Sequence, residues 1–559
     1  MHIVIEDVKC RITGMHESER NHWSELYKSF VYELPNAKRQ YLVQLKSLCM
    51  ELIGKQIFTR EHLKTECISA IKRNRWHEEL YKWYVEPALR NCPDSPVEIR
   101  KELSVLMTLK GQSSTTSLIN GQDYSFYTGH LPRVANFCIS NKIVLTFSDR
   151  RSKSVNLNYY NKHTLKLRKY QQAALIAAIN NKIELGLDWA RGIFQIPTGG
   201  GKTEIAIALA QMFNGNTTFI VNRKELLHQT HTRFGKTSPN YNIGLVGDGI
   251  SMYSGGEKIV IASAQTLWAM SKNMSNHHRP VLEELLHNTG QLIIDEAHGV
   301  AAGNVDEANT LVELAGMFTR AHARWALTAT PNMRDDLSNA LLKGVTGEVI
   351  FKISTQELVK LGYLTPPKIF FTKVNTKGSY EDPITQDELK RPPGTQWAAL
   401  YDYAIVKNPW RNKAIANIIT IINTPAIVLV KRLDHINYIN HYLPTPIPFL
   451  KGSSSTAERE DAKSKLRSGE YPVLCVTTIF DEGVDIPEIR AIIMAGGGKS
   501  DIKTMQRLGR GLRISEGKHE VMIYDFVDNC DEAPGWVPLK HSRDRMTLLK
   551  KEGFEICLR

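Results

Sequence analysis

The sequence predicts an α/β protein: two tandem parallel-sheet domains preceded by a smaller α+β domain with a helical insertion. Three observations carry this. From about Leu167 onward, short apolar runs alternate with helix-patterned segments, as strands and crossover helices do in parallel sheets. That alternation is interrupted from Gly362 to about Pro409, a stretch rich in Pro, Lys and Gly. Before about residue 165 the texture differs, strand-like at both ends and helical between.

A chain of 559 residues is long for one core, so three or four domains are expected. Its 71 Lys and Arg against 58 Asp and Glu give a net charge of +13, which suits a polyanionic partner such as nucleic acid and equally a basic solvated surface. The 8 cysteines form no Cys-x-x-Cys pair, which argues against a zinc module or a disulfide framework. No apolar run approaches the roughly 20 residues of a membrane span, and Met1-His2-Ile3-Val4-Ile5-Glu6 does not read as a signal peptide. The expected location is cytoplasmic, or host-cytoplasmic if a phage encodes the chain.

Taken in order, Ile3, Val4, Ile5, Val8 and Ile12 predict opening strands, and Asn21–Tyr32 and Tyr41–Ile53 predict helices. Phe58 to about Leu109 stays helical and charged, with Arg60, Lys64, Lys72, Arg73, Arg75, Lys82, Arg90, Arg100 and Lys101 beside Trp76, Trp83 and Tyr84. Basic residues interleaved with aromatics suit a nucleic-acid surface. A helical module with solvated outer faces fits the same pattern. A helix over Leu131–Ser140, a strand over Lys142–Phe147 and a polar linker over Ser152–His163 complete this part. Strands are then expected at Ile193–Ile196, Thr218–Asn222, Lys258–Ser263, Gln291–Ile294 and Trp325–Leu327, and in a second series at Ala426–Val430, Val473–Val476, Ala491–Met494 and Glu520–Phe526.

The chemistry is organised around Ile193 to Phe213, read as a buried strand, a glycine turn and a helix. Pro197, Thr198, Gly199, Gly200 and Gly201 cannot continue the strand, and consecutive glycines let N–H groups converge on phosphate oxygens at a helix N-terminus. Lys202 is then placed to reach β/γ-phosphates and the Thr203 hydroxyl to ligate Mg²⁺. The strict phosphate-loop pattern wants glycine where this chain has Ile196. Leu292-Ile293-Ile294-Asp295-Glu296-Ala297-His298 supplies two carboxylates after a buried strand, Asp295 for the metal and Glu296 for the attacking water. In Gln506-Arg507-Leu508-Gly509-Arg510-Gly511-Leu512-Arg513 the spacing of Arg510 and Arg513 predicts a shared helix face, pointing across a cleft at a γ-phosphate.

Together these residues resemble superfamily 2 helicases of the DEAH-box type, over roughly Leu167 to Phe526. The resemblance implies two RecA-like domains and an ATP site. It makes Arg168, Tyr170 and Gln171 the adenine-reading segment, with Gln171 the base contact. Gly199–Thr203 matches motif I, Asp295–His298 motif II, Thr328–Thr330 motif III and Gln506–Arg513 motif VI. Val476-Thr477-Thr478 with Glu482-Gly483-Val484-Asp485 matches motif V, which adds Gly483 and Asp485 to the nucleotide set. Asn222, Arg223, Gln265, Thr266, Thr477 and Thr478 are the implied strand contacts, and His298 and Gln506 join the catalytic set. Within the superfamily the pattern is similar to the group of UvsW-type, XPB-type and RadD helicases. That similarity rests on Val406–Ile415 with Asn408, Arg411 and Asn412, on Asp525–Asp528 with His541–Arg545, and on an N-terminal match interrupted by the basic helices.

The implied function is an ATP-dependent DNA helicase or translocase with Mg²⁺, acting on forks, junctions and R-loops in recombination, repair or replication. Its expected partners are branched or single-stranded DNA and proteins of those processes, with no membrane. An RNA helicase, a non-processive XPB-like duplex translocase and an ATP-gated binding module remain open alternatives. The expected domains are an accessory DNA-binding domain over 1–160 with its insertion at about 50–110, a first RecA-like domain over 161–362, a connecting segment over 363–409 and a second RecA-like domain with a tail over 410–559.

Overall fold

The computed structural model describes residues 2–5, 9–14, 20–33, 45, 47–55, 59–74, 81, 85–89, 93–108, 115–120, 124–150, 163–181, 189–222, 224–272, 279–297, 305–329, 336–375, 401–477, 486–498, 508–529 and 536–559. Two parallel sheets dominate it. The first has eight strands in the order Ile250–Met252, Ile243–Gly247, Ile259–Ser263, Asn216–Val221, Thr289–Ile294, Ala323–Thr328, Arg191–Gln195, Val349–Lys352, antiparallel only at its first edge. The second has seven, in the order Phe449–Leu450, Val473–Val476, Ala426–Leu429, Ala491–Ile493, Val521–Asn529, Pro367–Asn375, Ile556–Leu558.

The inner strands of both sheets are buried on both faces, which is why they read as continuous apolar runs. In the first, Phe194, Phe219, Val221, Ile261, Ile293, Trp325 and Leu327 pack into one core. Their neighbours Ile193, Ile220, Val260, Ala262, Leu292, Ile294 and Ala326 pack into the other. The same alternation divides the second sheet, with Ile427, Leu429, Leu474 and Ile523 on one side and Val428, Cys475, Ile493 and Tyr524 on the other. One of these cores is continuous through both sheets.

The connecting segment expected over 363–409 is corrected by the strand Pro367–Asn375. It pairs along its whole length with Val521–Asn529, so the second sheet takes a strand from within the interruption. The sequence hid this because its pairing partner lies far along the chain. Expected elements also shift locally. The helix read over Asn21–Tyr32 is Arg20–Ser29 followed by the strand Val31–Glu33, and the strand read over Lys142–Phe147 is Thr146–Asp149.

The N-terminal part has its own four-stranded sheet, Ser125–Tyr127, Lys9–Gly14, His2–Ile5 and Thr146–Asp149 in that order. Between the paired strands Val31–Glu33 and Thr115–Ser117 hangs a helical module including Arg60–Asn74 and Pro96–Thr108, with a core of Leu48, Leu52, Leu63, Cys67, Ile71, Ile99 and Leu103. Burial pushes the Cys49 and Cys67 thiols up to about 12, as expected of packing cysteines. Several of its basic side chains are answered within the module: Lys55 pairs with Glu66, Arg73 with Glu51 at 2.7 Å and Lys101 with Glu98 at 3.4 Å. This favours the solvated-face reading for those residues. Trp76, Trp83, Tyr84, Arg75, Lys82 and Arg90, and most of the linker expected over 152–163, lie outside the described residues.

The N-terminal sheet is not a separate bead. Trp189, at the entrance to the first large sheet, is buried in its core with Ile3, Phe30, Leu131 and Val134. The turn Thr128–His130 packs on the helix Asp336–Thr346 so closely that a Cβ on Gly129 would stand 2.1 Å from the Lys343 carbonyl oxygen and 2.5 Å from that of Gly344. Backbone meets backbone there. Gly129→Val is therefore expected to destabilise the protein by about 1–3 kcal/mol, the usual penalty of overpacking, as read from urea denaturation. A midpoint equal to wild type would mean that this contact is not held in solution.

Candidate ATP site

The site begins with a strand that ends in a turn. Ile196 is fully buried and extends the strand Arg191–Gln195, its N–H donating to the Thr328 carbonyl at 2.9 Å. Where the strict pattern wants glycine, this chain therefore has a buried residue that keeps one more hydrogen bond to the neighbouring strand. The loop proper starts at Pro197. Gly199 and Gly201 adopt φ of +83° and +70°, the left-handed region that disfavours side chains, and Gly201 caps the helix Lys202–Met212. A Cβ on Gly200 would lie 2.6 Å from the Ile196 side chain. These three positions form a bare cradle at the positive end of a helix, the arrangement that suits a phosphate. Thr198 adds a buried hydroxyl with no hydrogen-bond partner among the described residues.

Lys202 is only 8% exposed. Its ammonium lies 3.3 Å from Glu296 Oε1 and donates to the Ile196 carbonyl at 3.5 Å. Motifs I and II are thus joined by an ion pair between the two side chains expected to handle phosphate and water. Glu296 has φ +46°, a backbone state that costs a non-glycine residue about 1–3 kcal/mol and clusters at functional sites. The turn is held by two bonds: Glu296 N–H donates to Asp295 Oδ1 at 2.9 Å, and Asn222 Nδ2 donates to the Glu296 carbonyl at 3.4 Å. Thr203 is half-buried on the first helical turn beside Lys202, and Asp295 is half-buried at the strand end. His298 lies outside the described residues.

The segment expected to read adenine grips the loop itself. The Tyr170 hydroxyl donates to the Gly200 carbonyl, and Gln171 Nε2 donates to that of Gly201 at 3.3 Å. Gln171 Oε1 accepts from Arg168 N–H at 2.9 Å, closing a capping box on the helix Lys169–Ile179. Gln171 is 3% exposed, and both ends of its amide have a protein partner. Beside the base contact expected of it, Gln171 holds the loop Gly199–Gly201 in place. Sequence reading missed Tyr363, whose ring faces Tyr170 at 5.3 Å and the Arg168 guanidinium at 4.7 Å. It sits in the connection between the sheets, with no motif to mark it.

From the second sheet comes the arginine turn. Among the described residues helix covers 508–511, and Arg513 lies beyond its end, its N–H reaching the Arg510 carbonyl at 3.4 Å. The shared-helix-face argument is corrected: the two arginines are neighbours across a terminating turn. The turn nevertheless meets the phosphate loop, because a Cβ on Gly509 would lie 2.8 Å from Thr198 Cβ and one on Gly199 would lie 3.5 Å from Arg513 Cγ. Gly511 fits against Ile492 in the same way, at 2.3 Å from its Cδ1. The two glycines that look wrong for a solvated helix are contact points. Gln506, Gly483 and Asp485 lie outside the described residues.

The expected strand contacts follow the ends of parallel strands. Asn222 follows Asn216–Val221, and exposed Gln265 and half-buried Thr266 follow Ile259–Ser263, its direct neighbour in the sheet. Thr477 is buried after Val473–Val476, its N–H donating to the Leu450 carbonyl at 3.3 Å. Arg223 and Thr478 are outside the described residues. Residues read as family signatures elsewhere are structural: Arg411 pairs with Asp528 at 2.9 Å and Arg545 with Asp525 at 2.8 Å, all four side chains buried. Among the described residues there is no cluster of His, Cys, Asp and Glu fit for a metal, and no helix long and apolar enough to cross a membrane.

Comparison with known proteins agrees with this geometry. Residues 164–333 match the family described as type III restriction enzyme, res subunit, and residues 410–515 match the helicase conserved C-terminal domain. A putative helicase 22 of Sulfolobus islandicus filamentous virus is 27% identical over 444 residues, covering 76% of this chain and 72% of that one. The DNA 3'-5' translocase XPB2 of Sulfurisphaera tokodaii is 27% identical over 397 residues, covering 66% and 82%. The ATP-dependent DNA helicase uvsW of Enterobacteria phage T4 is 23% identical over 412 residues, covering 69% and 73%.

Two substitutions separate the roles of the paired side chains. Lys202→Ala removes the cation at the phosphate cradle and is expected to lower ATPase kcat/KM by about 100-fold or more. Glu296→Gln keeps the shape but cannot take a proton, and is expected to stop turnover with nucleotide affinity within about threefold of wild type. Steady-state ATPase assays and titration with a fluorescent nucleotide read both. Equal loss of affinity in the two variants would contradict the division.

Proposed function

Because the chain belongs to the superfamily 2 helicases and is an ATP-dependent nucleic-acid helicase by class, we propose that it translocates on DNA and remodels branched DNA. The observation that supports the ATP half is the contact of the phosphate loop with the turn that carries Arg510 and Arg513, beside the ion pair of Lys202 with Glu296. In this reading the Gly199–Gly201 amides and Lys202 bind the β/γ-phosphates. Glu296 exchanges its bond with Lys202 for one with water and accepts a proton from it, and Arg510 and Arg513 stabilise charge in the transition state. Thr203 and Asp295 would hold Mg²⁺, which neutralises phosphate charge when bound. Arg168, Tyr170 and Gln171 border the base, and His298, Gln506, Gly483 and Asp485 take the parts their motifs imply.

The DNA half rests on the relatives, two of which are named for action on DNA. Asn222, Arg223, Gln265, Thr266, Thr477 and Thr478 are proposed to track one strand, since their loops leave the strands at the carboxyl edge of each sheet. Phosphate contacts there make binding sequence-tolerant and salt-sensitive. The N-terminal part, fixed to the first sheet through Trp189 and Gly129, is proposed to meet the branch point. Recombination, repair or replication is the proposed setting.

Strand displacement compared on forked DNA, four-way junctions, RNA:DNA hybrids and duplex RNA tests this reading. Fork and junction DNA are expected to be processed at least about tenfold faster than duplex RNA of the same length. Equal rates would favour an RNA helicase. Hydrolysis stimulated by duplex DNA without displacement of any strand would favour a duplex translocase.

A further inference from the structure

Lys518 belongs to none of the motifs, yet it is 6% exposed and lies at the base of the arginine turn. Its ammonium donates to the carbonyls of Gly511 at 2.6 Å, Pro487 at 2.7 Å and Arg513 at 2.8 Å. Lysine has three N–H donors, so all of them are in use. The chain returns to this point through a tight turn in which Gly517 has φ +66° and Lys518 N–H donates to the Ser515 carbonyl at 3.2 Å. Burial lowers the ammonium to about 8, opposed by the charge of Glu488 and reinforced by that of Arg490, so the charged form with three donors prevails at neutral pH.

The identity of the three acceptors gives this cation its meaning. Gly511 ends the helix that carries Arg510, Arg513 is the second arginine itself, and Pro487 closely follows the Gly483–Asp485 segment. The Arg513 carbonyl also accepts from Thr365 Oγ1 at 3.4 Å, and the Leu512 carbonyl accepts from Thr365 N–H at 2.8 Å. The main chain of Arg513 is therefore held on both sides, from the second sheet by Lys518 and from the inter-sheet connection by Thr365. A carbonyl fixed by a charged donor is held more tightly than by a neutral one.

We propose that Lys518 is a positioning residue for ATP hydrolysis, fixing the backbone of the turn that carries Arg510 and Arg513 and tying Pro487 to the same point. The proposal rests on the reading of these arginines as groups that stabilise the transition state. A lysine that only closed a surface loop would affect folding and leave the chemistry alone.

The test uses the full chain with Lys518→Met, which keeps length without donors, and Lys518→Gln, which keeps two donors. DNA-stimulated kcat is expected to fall about tenfold or more in the Met variant, with KM for ATP within about twofold. Aluminium fluoride, which completes a transition-state mimic with ADP, is expected to tighten fluorescent ADP binding in wild type and to lose that effect in the Met variant. In an Arg513→Ala background the Met substitution is expected to add little further loss, because both act on one group. Wild-type kcat in a folded Met variant, an equal rise in KM, or losses that multiply with Arg513→Ala would each overturn the proposal. Should the Met variant fail to fold by circular dichroism, the Gln variant decides by the same measurements. A wild-type chain without DNA-stimulated hydrolysis would defeat the motor reading itself, a result distinct from an active wild type and a silent Lys518 variant.

Discussion

The contact between two stretches of main chain, one from each large sheet, sets the geometry on which the site depends. A Cβ on Gly509 would be 2.8 Å from the Thr198 carbonyl oxygen, and one on Gly199 would be 3.0 Å from the Gly509 carbonyl oxygen. Neither position has room for a side chain, and Gly199 needs a positive φ besides. The separation between phosphate loop and arginine turn is thus fixed by backbone thickness. Long side chains alone do not set such a distance, since each carries rotamer freedom that has to be lost at the moment of reaction. Holding their backbones leaves only the last torsions to be ordered, which is how preorganised charge becomes useful in a transition state.

Behind the arginine turn the second sheet uses buried charge for geometry. Arg411 donates to Asp528 and to the Ala495 carbonyl, while Arg545 donates to both oxygens of Asp525 and to the Gly498 carbonyl. Tyr401 adds a hydroxyl to the Gly496 carbonyl between them at 2.6 Å. The glycine turn after Ala491–Ile493 is therefore held at three carbonyls by side chains from distant parts of the chain. Buried ion pairs are weak sources of net stability, because desolvation offsets most of the attraction. Each guanidinium here has donors left over after its carboxylate, and those fix a loop that glycine would otherwise leave free. His435 belongs to the same layer: burial lowers its imidazole to about 3, so it is neutral beside Asn412, with which it shares a 3.0 Å hydrogen bond.

What could be read from the sequence were the features set by local pattern. The apolar runs at Ile193, Phe219, Ile261, Ile293 and Trp325 became parallel strands because both faces of the sheet are covered, so no alternation was needed to recognise them. The strand, glycine turn and helix around Lys202 were legible because three consecutive glycines cannot continue a strand and two of them take a positive φ. Pro367–Asn375 was not, since a strand flanked by Pro, Lys and Gly declares itself only through its partner Val521–Asn529. Lys518 and Tyr363 escaped for the same reason: their roles lie in contacts with residues brought close by the fold. The Arg510 and Arg513 spacing suggested a shared helix face, but Arg513 lies past the helix end at Gly511, where the chain packs on Ile492 and its carbonyl accepts from Lys518.

The same logic reaches from the phosphate side to the edge where a strand of nucleic acid would lie. Glu296 stands at φ +46°, and the peptide that carries it is held by Asp295 on one side and by Asn222 on the other. Asn222 is the first residue beyond the strand Asn216–Val221, in the loop assigned to tracking DNA. One side-chain amide therefore joins the edge of the sheet proposed to face DNA to the backbone of the residue proposed to act on water. A strained turn is sensitive to such a bond, because the alternative backbone states lie close in energy and a modest change in its partner shifts their balance. Glu296 in turn faces Lys202 through its carboxylate, so the residues proposed for nucleotide and for nucleic acid meet on one residue: Lys202 on its side chain and Asn222 on its main chain.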